Sequence, residues 1–303
     1  MRRAWLAPPG LILGAAASTL LWLGWRWVTP RRQAAPAGLP GVDTEEVWFR
    51  SLDGARLHGL WLPGRKEYPT VILCHGYCKS LAEPLDVGLE LNRAGYNVLL
   101  FDFRACGKSG GRFTTVGWKE TWDVQAAVRY VGERHARPNG IGVLGISMGA
   151  AAAIIAAAQS REIAALVADS AFAHLEGVMR KKIPEYASVP WLTPIGWVSV
   201  LIGEMLAGGR LRRVRPLDYV GRLSPRPVLF IHGERDSYIP HEQPGELFEA
   251  AGDPKETWTA PGSDHAVARL DHPQEYIERV LTFFDRYLRG VERPRRRRPL
   301  KTA

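Results

Sequence analysis

The 303-residue sequence predicts a doubly wound, mostly parallel α/β sheet preceded by a single transmembrane helix. Three observations predict it. Runs such as Thr70–Leu73, Asn97–Phe103 and Ile141–Ile146 are apolar without polar alternation, as strands buried on both faces must be. Segments of helical length separate them, and helices between parallel strands supply the cover on both faces. Finally, the 22 residues from Ala4 to Trp25 carry no charge, enough at about 1.5 Å per residue for a helix to cross a hydrocarbon core.

At the N-terminus, Pro8 and Pro9 set the start of the regular helix near Gly10, while Trp22, Trp25 and Trp27 beside Arg26 read as an interfacial aromatic belt. Residues 1–32 are therefore expected to be an uncleaved signal-anchor that makes the protein single-pass and brings it against membrane lipid. The competing reading is a cleaved signal peptide with Arg2-Arg3 as its basic end and Ala15-x-Ala17 as its cleavage site. The apolar run continues past that site to Val28, which favours the anchor. Basic residues on both flanks leave the orientation undetermined. Residues 33–43, rich in Pro, Gly and Ala, read as a linker.

The body is expected over 44–290. Glu46–Ser51 and Arg56–Leu62 flank Asp53-Gly54 as an opening hairpin. The strand Thr70–Leu73 precedes a helix over 81–94, Asn97–Phe103 a helix over 118–135, and Ile141–Ile146 an Ala-rich helix over 148–159. Strands follow at 163–168, 227–231 and 257–260, and an amphipathic helix over 273–288 closes the body. Between Ser170 and Ser224 the alternation breaks. Residues 171–224, with Trp191, Trp197, Leu201 and Met205 among Pro184, Pro190 and Pro194, read as a small helical insert, a cap over the sheet.

Composition narrows the functional classes. At 46% hydrophobic and 23% charged the chain is globular, not disordered or collagenous. The formal charge of +9 invites a polyanion, but five Arg fall in residues 1–33 and seven basic residues against Glu292 fall in 289–303, leaving the body mildly acidic. Residues 291–303, with four consecutive Arg, read as a solvated basic tail. No aromatic platform accompanies it, so nucleic acid is not an expected partner. Cys74, Cys78 and Cys106 are odd in number and lack metal-site spacing, so neither a disulfide framework nor a metal is expected.

The chemistry centres on Gly145-Ile146-Ser147-Met148-Gly149, a G-x-S-x-G directly between a strand and a helix. Small flanking residues allow a sharp turn that lifts Ser147 above the sheet at a helix N-terminus. A serine hydroxyl is a poor nucleophile without an adjacent base, itself oriented by a third group. His265, in the loop after the last strand, is the preferred base and His272 its rival. Asp236, after the strand ending at Ile231, is the preferred acid, with Glu234 and then Asp169 behind it. The backbone N–H groups of Met148 and Tyr77 are expected to stabilise an oxyanion. His75 and His232, each ending a strand before Gly, are expected to tie down neighbouring loops.

Over about residues 44–289 the sequence resembles the α/β-hydrolase superfamily, in its serine-aminopeptidase-like and esterase-like group. The resemblance rests on His75-Gly76-Tyr77, on Phe101-Asp102-Phe103-Arg104 leading to Gly107-Lys108-Ser109-Gly110-Gly111, on Gly145–Gly149, on Val167–Ser170 and on Ile231–Asp236. It implies a Ser147–Asp236–His265 triad hydrolysing ester, amide or thioester bonds of small molecules without a cofactor. One departure stands out: Ala105-Cys106-Gly107 occupies the place where similar sequences carry Gly-His-Gly, so Ala105 is expected to strain a turn that prefers glycine. The expected function is a membrane-tethered serine carboxylesterase acting on a small or lipid-like acyl substrate. A peptidase or thioesterase of the same fold, or a non-catalytic scaffold, are the alternatives.

Overall fold

In the computed structural model, which describes residues 9–33, 42–134, 140–187 and 193–291, β1 (Glu45–Arg50) and β2 (Arg56–Leu62) form the hairpin about Asp53-Gly54. Arg2, Arg3, most of the linker, His135, Pro190, Trp191 and nearly all of the basic tail lie outside the described residues. The alternating series follows as β3 (Thr70–Cys74), α2 (Leu85–Arg93), β4 (Asn97–Phe101), α3 (Glu120–Arg134), β5 (Ile141–Ile146), α4 (Met148–Gln159) and β6 (Ile163–Asp169). Helices α5 (Leu175–Ala187), α6 (Thr193–Ala207) and α7 (Leu217–Val220) occupy the stretch before β7 (Val228–Gly233). The chain ends through α8 (Gln243–Ala250), β8 (Lys255–Ala260), α9 (Ala268–Asp271) and α10 (Pro273–Arg289).

The eight strands make one sheet in the order β1-β2-β4-β3-β5-β6-β7-β8, antiparallel at the β1/β2 and β2/β4 pairs and parallel elsewhere. Every residue of β3, β4 and β5 is buried, which is why their sequences show no alternation. One face packs on α3 and α4 through Val124, Val128, Ile154 and Phe101; the other packs on α2 and α10 through Val87, Leu91, Val280 and Phe284. The predicted mostly parallel, doubly wound architecture is the observed one.

The membrane-spanning helix is not. Helix α1 (Pro9–Val28) is about 30 Å long at 1.5 Å per residue. Its Gly, Ser, Thr and Trp content and Arg26 dilute its apolar character, and among the described residues no helix is long and apolar enough to cross a membrane. Its end has a protein partner instead. The Trp27 indole donates to Ser199 Oγ at 2.9 Å, and Val28 is fully buried in a third apolar cluster with Val178, Met179 and Ile183 of α5 and Val200 of α6. A Cβ on Gly24 would lie 2.5 Å from Ile202 and 2.9 Å from the Ser199 carbonyl, so α1 and α6 touch backbone to side chain. The single-pass location and the lipid contact through residues 1–32 fall with the span: the apolarity read as lipid-facing is partly spent on α6.

Candidate active site

The site is assembled from the C-terminal ends of the parallel strands, where ligands sit in open α/β sheets. Between β5 and α4 the backbone turns within one residue. Ser147 takes φ 52° and ψ −113°, a left-handed conformation costly for a residue with a Cβ. The turn exists because its flanks are bare. A Cβ on Gly145 would fall 2.5 Å from the Ala150 nitrogen, and one on Gly149 would fall 2.4 Å from the Cys74 carbonyl oxygen. Ser147 N–H donates to the Asp169 carbonyl at 2.8 Å, pinning the elbow to β6.

The side chains of Ser147, His265 and Asp236 are brought into one hydrogen-bonded line. His265 Nε2 lies 2.9 Å from Ser147 Oγ and His265 Nδ1 lies 2.7 Å from Asp236 Oδ2. His265 is held by its own N–H on Asp264 Oδ1 at 2.7 Å and by Tyr238, whose ring stacks on the imidazole at 5.1 Å between centroids. Asp236 Oδ1 accepts the N–H groups of Tyr238 and Ile239, each at 2.8 Å. Burial alone would raise the Asp236 carboxyl; the neighbouring imidazoles of His232 and His265 and the Ile239 N–H outweigh it and hold the group well below the usual carboxylate range.

The rival residues lie elsewhere. Glu234 accepts the Gly262 N–H at 2.7 Å on the exposed side of the loop. Asp169 is buried against the hydroxyls of Ser170 and Tyr276, each at 2.9 Å, and burial pushes its carboxyl up. His272 Nε2 contacts the Pro261 carbonyl at 2.8 Å. Sequence reasoning missed the second histidine on the acid: His232 Nε2 lies 3.1 Å from Asp236 Oδ2. The spacing of four residues was visible, but across the end of a strand it carries no contact until the following turn folds back.

His75 does tie loops together. Its Nδ1 contacts the Gly76 carbonyl at 2.7 Å and its Nε2 accepts the Phe103 N–H at 3.0 Å, a pair satisfied only by the neutral tautomer protonated at Nδ1; burial favours the neutral form. The loop after β3 thereby meets the elbow: a Cβ on Gly76 would be 3.6 Å from Ser147 Cβ. Tyr77 is the next residue of that loop. Met148, the other expected oxyanion donor, opens α4, where first-turn N–H groups have no intrahelical acceptor. Tyr77 is no simple surface aromatic, for its hydroxyl donates to the Trp27 carbonyl at 2.8 Å and burial pushes its phenol well above the ordinary value.

The predicted departure is visible in the backbone. Ala105 adopts φ 60°, the left-handed region in which glycine is at ease, and Cys106 is buried, its thiol pushed up by desolvation. All three cysteines are free. Among the described residues no group of three or more His, Cys, Asp or Glu is placed to hold a metal. A cleft of about 860 Å³ lies away from the Ser147–His265–Asp236 line, lined by Glu176, Arg180, Trp197, Glu204, Arg210, Arg212 and Arg213.

Comparison with known proteins agrees with this fold. Residues 69–190 match the family model of the alpha/beta hydrolase fold. The chain is 30% identical over 219 residues to the uncharacterized protein YqkD of Bacillus subtilis (strain 168), covering 71% of each. It is 28% identical over 250 residues to the uncharacterized protein YfhR of Escherichia coli (strain K12), covering 80% of each. Among solved structures, an esterase of Pyrococcus furiosus superposes with a TM-score of 0.73 at 32% identity, over 86% of this chain and 98% of that one. The chain belongs to the α/β-hydrolase family.

Proposed function

We propose that the protein is a serine hydrolase that cleaves carboxylic esters of small or lipid-like acyl groups through an acyl-enzyme. The observation that carries the reading is the continuous line Ser147 Oγ–His265 Nε2 and His265 Nδ1–Asp236 Oδ2, at 2.9 and 2.7 Å, on a strained elbow. Ser147 Oγ attacks the ester carbonyl while His265 Nε2 takes its proton; the tetrahedral oxyanion is met by the N–H groups of Tyr77 and Met148. Collapse breaks the ester C–O bond, and the proton on Nε2 passes to the departing alcohol. Water then repeats the sequence on the acyl-serine and releases the acid. Asp236, ionised at any working pH because its carboxyl is held low, keeps Nδ1–H donated and stabilises the imidazolium.

The similarity to an esterase over 98% of that enzyme's length supports ester chemistry. Residues 44–290 form the catalytic domain in this reading, with 171–224 as a helical cap, 33–43 as a linker and 291–303 as a basic tail. The test is turnover of p-nitrophenyl esters of rising acyl length, with thioesters and aminoacyl amides alongside, in wild type and Ser147→Ala. Ester turnover and fluorophosphonate labelling are expected in wild type and absent in the variant. Labelling that survives in Ser147→Ala overturns the nucleophile, and turnover confined to amides or thioesters replaces the esterase by a peptidase or thioesterase.

A further inference from the structure

Helix α1 ends where the candidate site begins, and the segment leaving it is bound to the body at the Trp27 and Val28 carbonyls and again through the Arg32 side chain. A helix leaves its last four carbonyls without intrahelical partners. Two of those of α1 are taken by the body: the Trp27 carbonyl accepts the Tyr77 hydroxyl at 2.8 Å, and the Val28 carbonyl accepts the Thr114 N–H at 2.8 Å. Four residues on, the Arg32 guanidinium donates to the carbonyls of Gly107 at 3.1 Å, of Ser109, and of Gly111 at 2.9 Å, all in the loop after β4. No carboxylate opposes Arg32 among the described residues, so its planar fork is spent entirely on shaping backbone.

The loop after β3, which carries Tyr77, is tied to the body through His75, whose ring contacts the Gly76 carbonyl at 2.7 Å and accepts the Phe103 N–H at 3.0 Å. Its first N–H, from Gly76, goes to Glu83 Oε2 at 2.6 Å, and Lys79 N–H returns to the Gly76 carbonyl at 3.3 Å. Between them Cys78 sits at φ 59°, a conformation a residue with a Cβ leaves when unconstrained. The hydroxyl of Tyr77 is anchored on the end of α1, at the Trp27 carbonyl. An oxyanion donor is useful only where it is fixed before the charge develops.

We propose that residues 27–32 are a positioning strap for the active site: the Trp27 carbonyl, seated by Arg32 and by the α1–α6 contact, holds Tyr77 so that its N–H stays aimed above Ser147. This rests on the serine-hydrolase reading, in which Tyr77 N–H is an oxyanion donor. The strap gives α1 a role in catalysis, through Tyr77 and without touching substrate.

The test uses the full chain with Tyr77→Phe, which deletes only the hydroxyl, and Arg32→Gln, which opens the clamp from the other side. Two readouts are taken: kcat and KM on a short-chain p-nitrophenyl ester, and hydrogen exchange of residues 76–80. Each variant is expected to lose about tenfold in kcat with KM within twofold, as small misplacements of a reacting geometry do, and to exchange faster over 76–80 than wild type. Fluorophosphonate labelling of Ser147 persists. Unchanged exchange and kcat in both variants overturn the strap, as does a rise in KM with kcat retained, which makes the segment a pocket wall instead. A wild-type chain that neither turns over esters nor labels at Ser147 overturns the hydrolase reading, and the exchange measurement alone then decides whether the strap exists.

Discussion

Replacing Asp236 by Asn separates orientation of the base from everything else the carboxylate does. Oδ1 accepts two backbone N–H groups at 2.8 Å, and the amide oxygen of Asn can keep both. The amide NH₂ then faces His265 Nδ1, where the carboxylate Oδ2 stood at 2.7 Å. Two donors cannot share a hydrogen bond, so the imidazole relaxes by moving its proton to Nε2, which then donates to Ser147 Oγ and cannot take its proton. Loss of the correct tautomer in a Ser-His-Asp arrangement costs on the order of 10⁴ in kcat, about 5.5 kcal/mol of barrier at 1.36 per decade. The fold loses far less, about 1 kcal/mol for an exchanged hydrogen bond. The assay is kcat on the most reactive ester of the panel, with thermal unfolding run in parallel and Glu234→Gln as comparison. A loss below about tenfold in a folded Asp236→Asn, or an equal loss in Glu234→Gln, refutes the assignment of the acid.

Further outcomes follow from the same geometry. His265→Ala is expected to abolish ester turnover while His272→Ala, whose ring meets the Pro261 carbonyl and the edge of Trp258 instead of Ser147, keeps most of it; steady-state rates decide between the two bases. Gly149→Ala forces a methyl to within 2.4 Å of a backbone oxygen, so a loss of about 1–3 kcal/mol in denaturant unfolding and a fall in labelling rate are expected. Because the folded-state carboxyl of Asp236 is held below its unfolded value near 3.9, its contribution to stability is complete above that pH. It is lost as pH falls from about 4 toward the folded value, so wild type loses its lead over Asp236→Asn in acid denaturation on that side.

Much of this was legible in the sequence, for reasons that can be named residue by residue. Buried parallel strands declare themselves by unbroken apolar runs, and β3, β4 and β5 were read within a residue or two at nearly every end. Ser147, Asp236 and His265 were legible because each follows a strand, where topology alone brings their loops to one edge. His232 was not, because its approach to Asp236 depends on a turn with no sequence mark. The end of α1 was misread for a physical reason: an apolar helix is satisfied equally by lipid or by another helix, and local composition does not distinguish the two. The clue was present in Gly24 and Gly203, small residues that let two helices approach closely; a Cβ on Gly203 would stand 3.0 Å from the Gly24 carbonyl.

The docking of α1 also sets an order of events during synthesis. Trp27 and its partner Ser199 are 172 residues apart. At about 5–20 residues per second, α1 waits roughly 9–34 s for Ser199 of α6 to be made. Through that interval the side of Trp27 and Val28 that ends up against α5 and α6 has nothing to cover it. The nascent chain therefore passes through a long stage in which this helix end is a ligand for whatever escorts nascent chains, and its docking beside the candidate site becomes one of the later acts of folding.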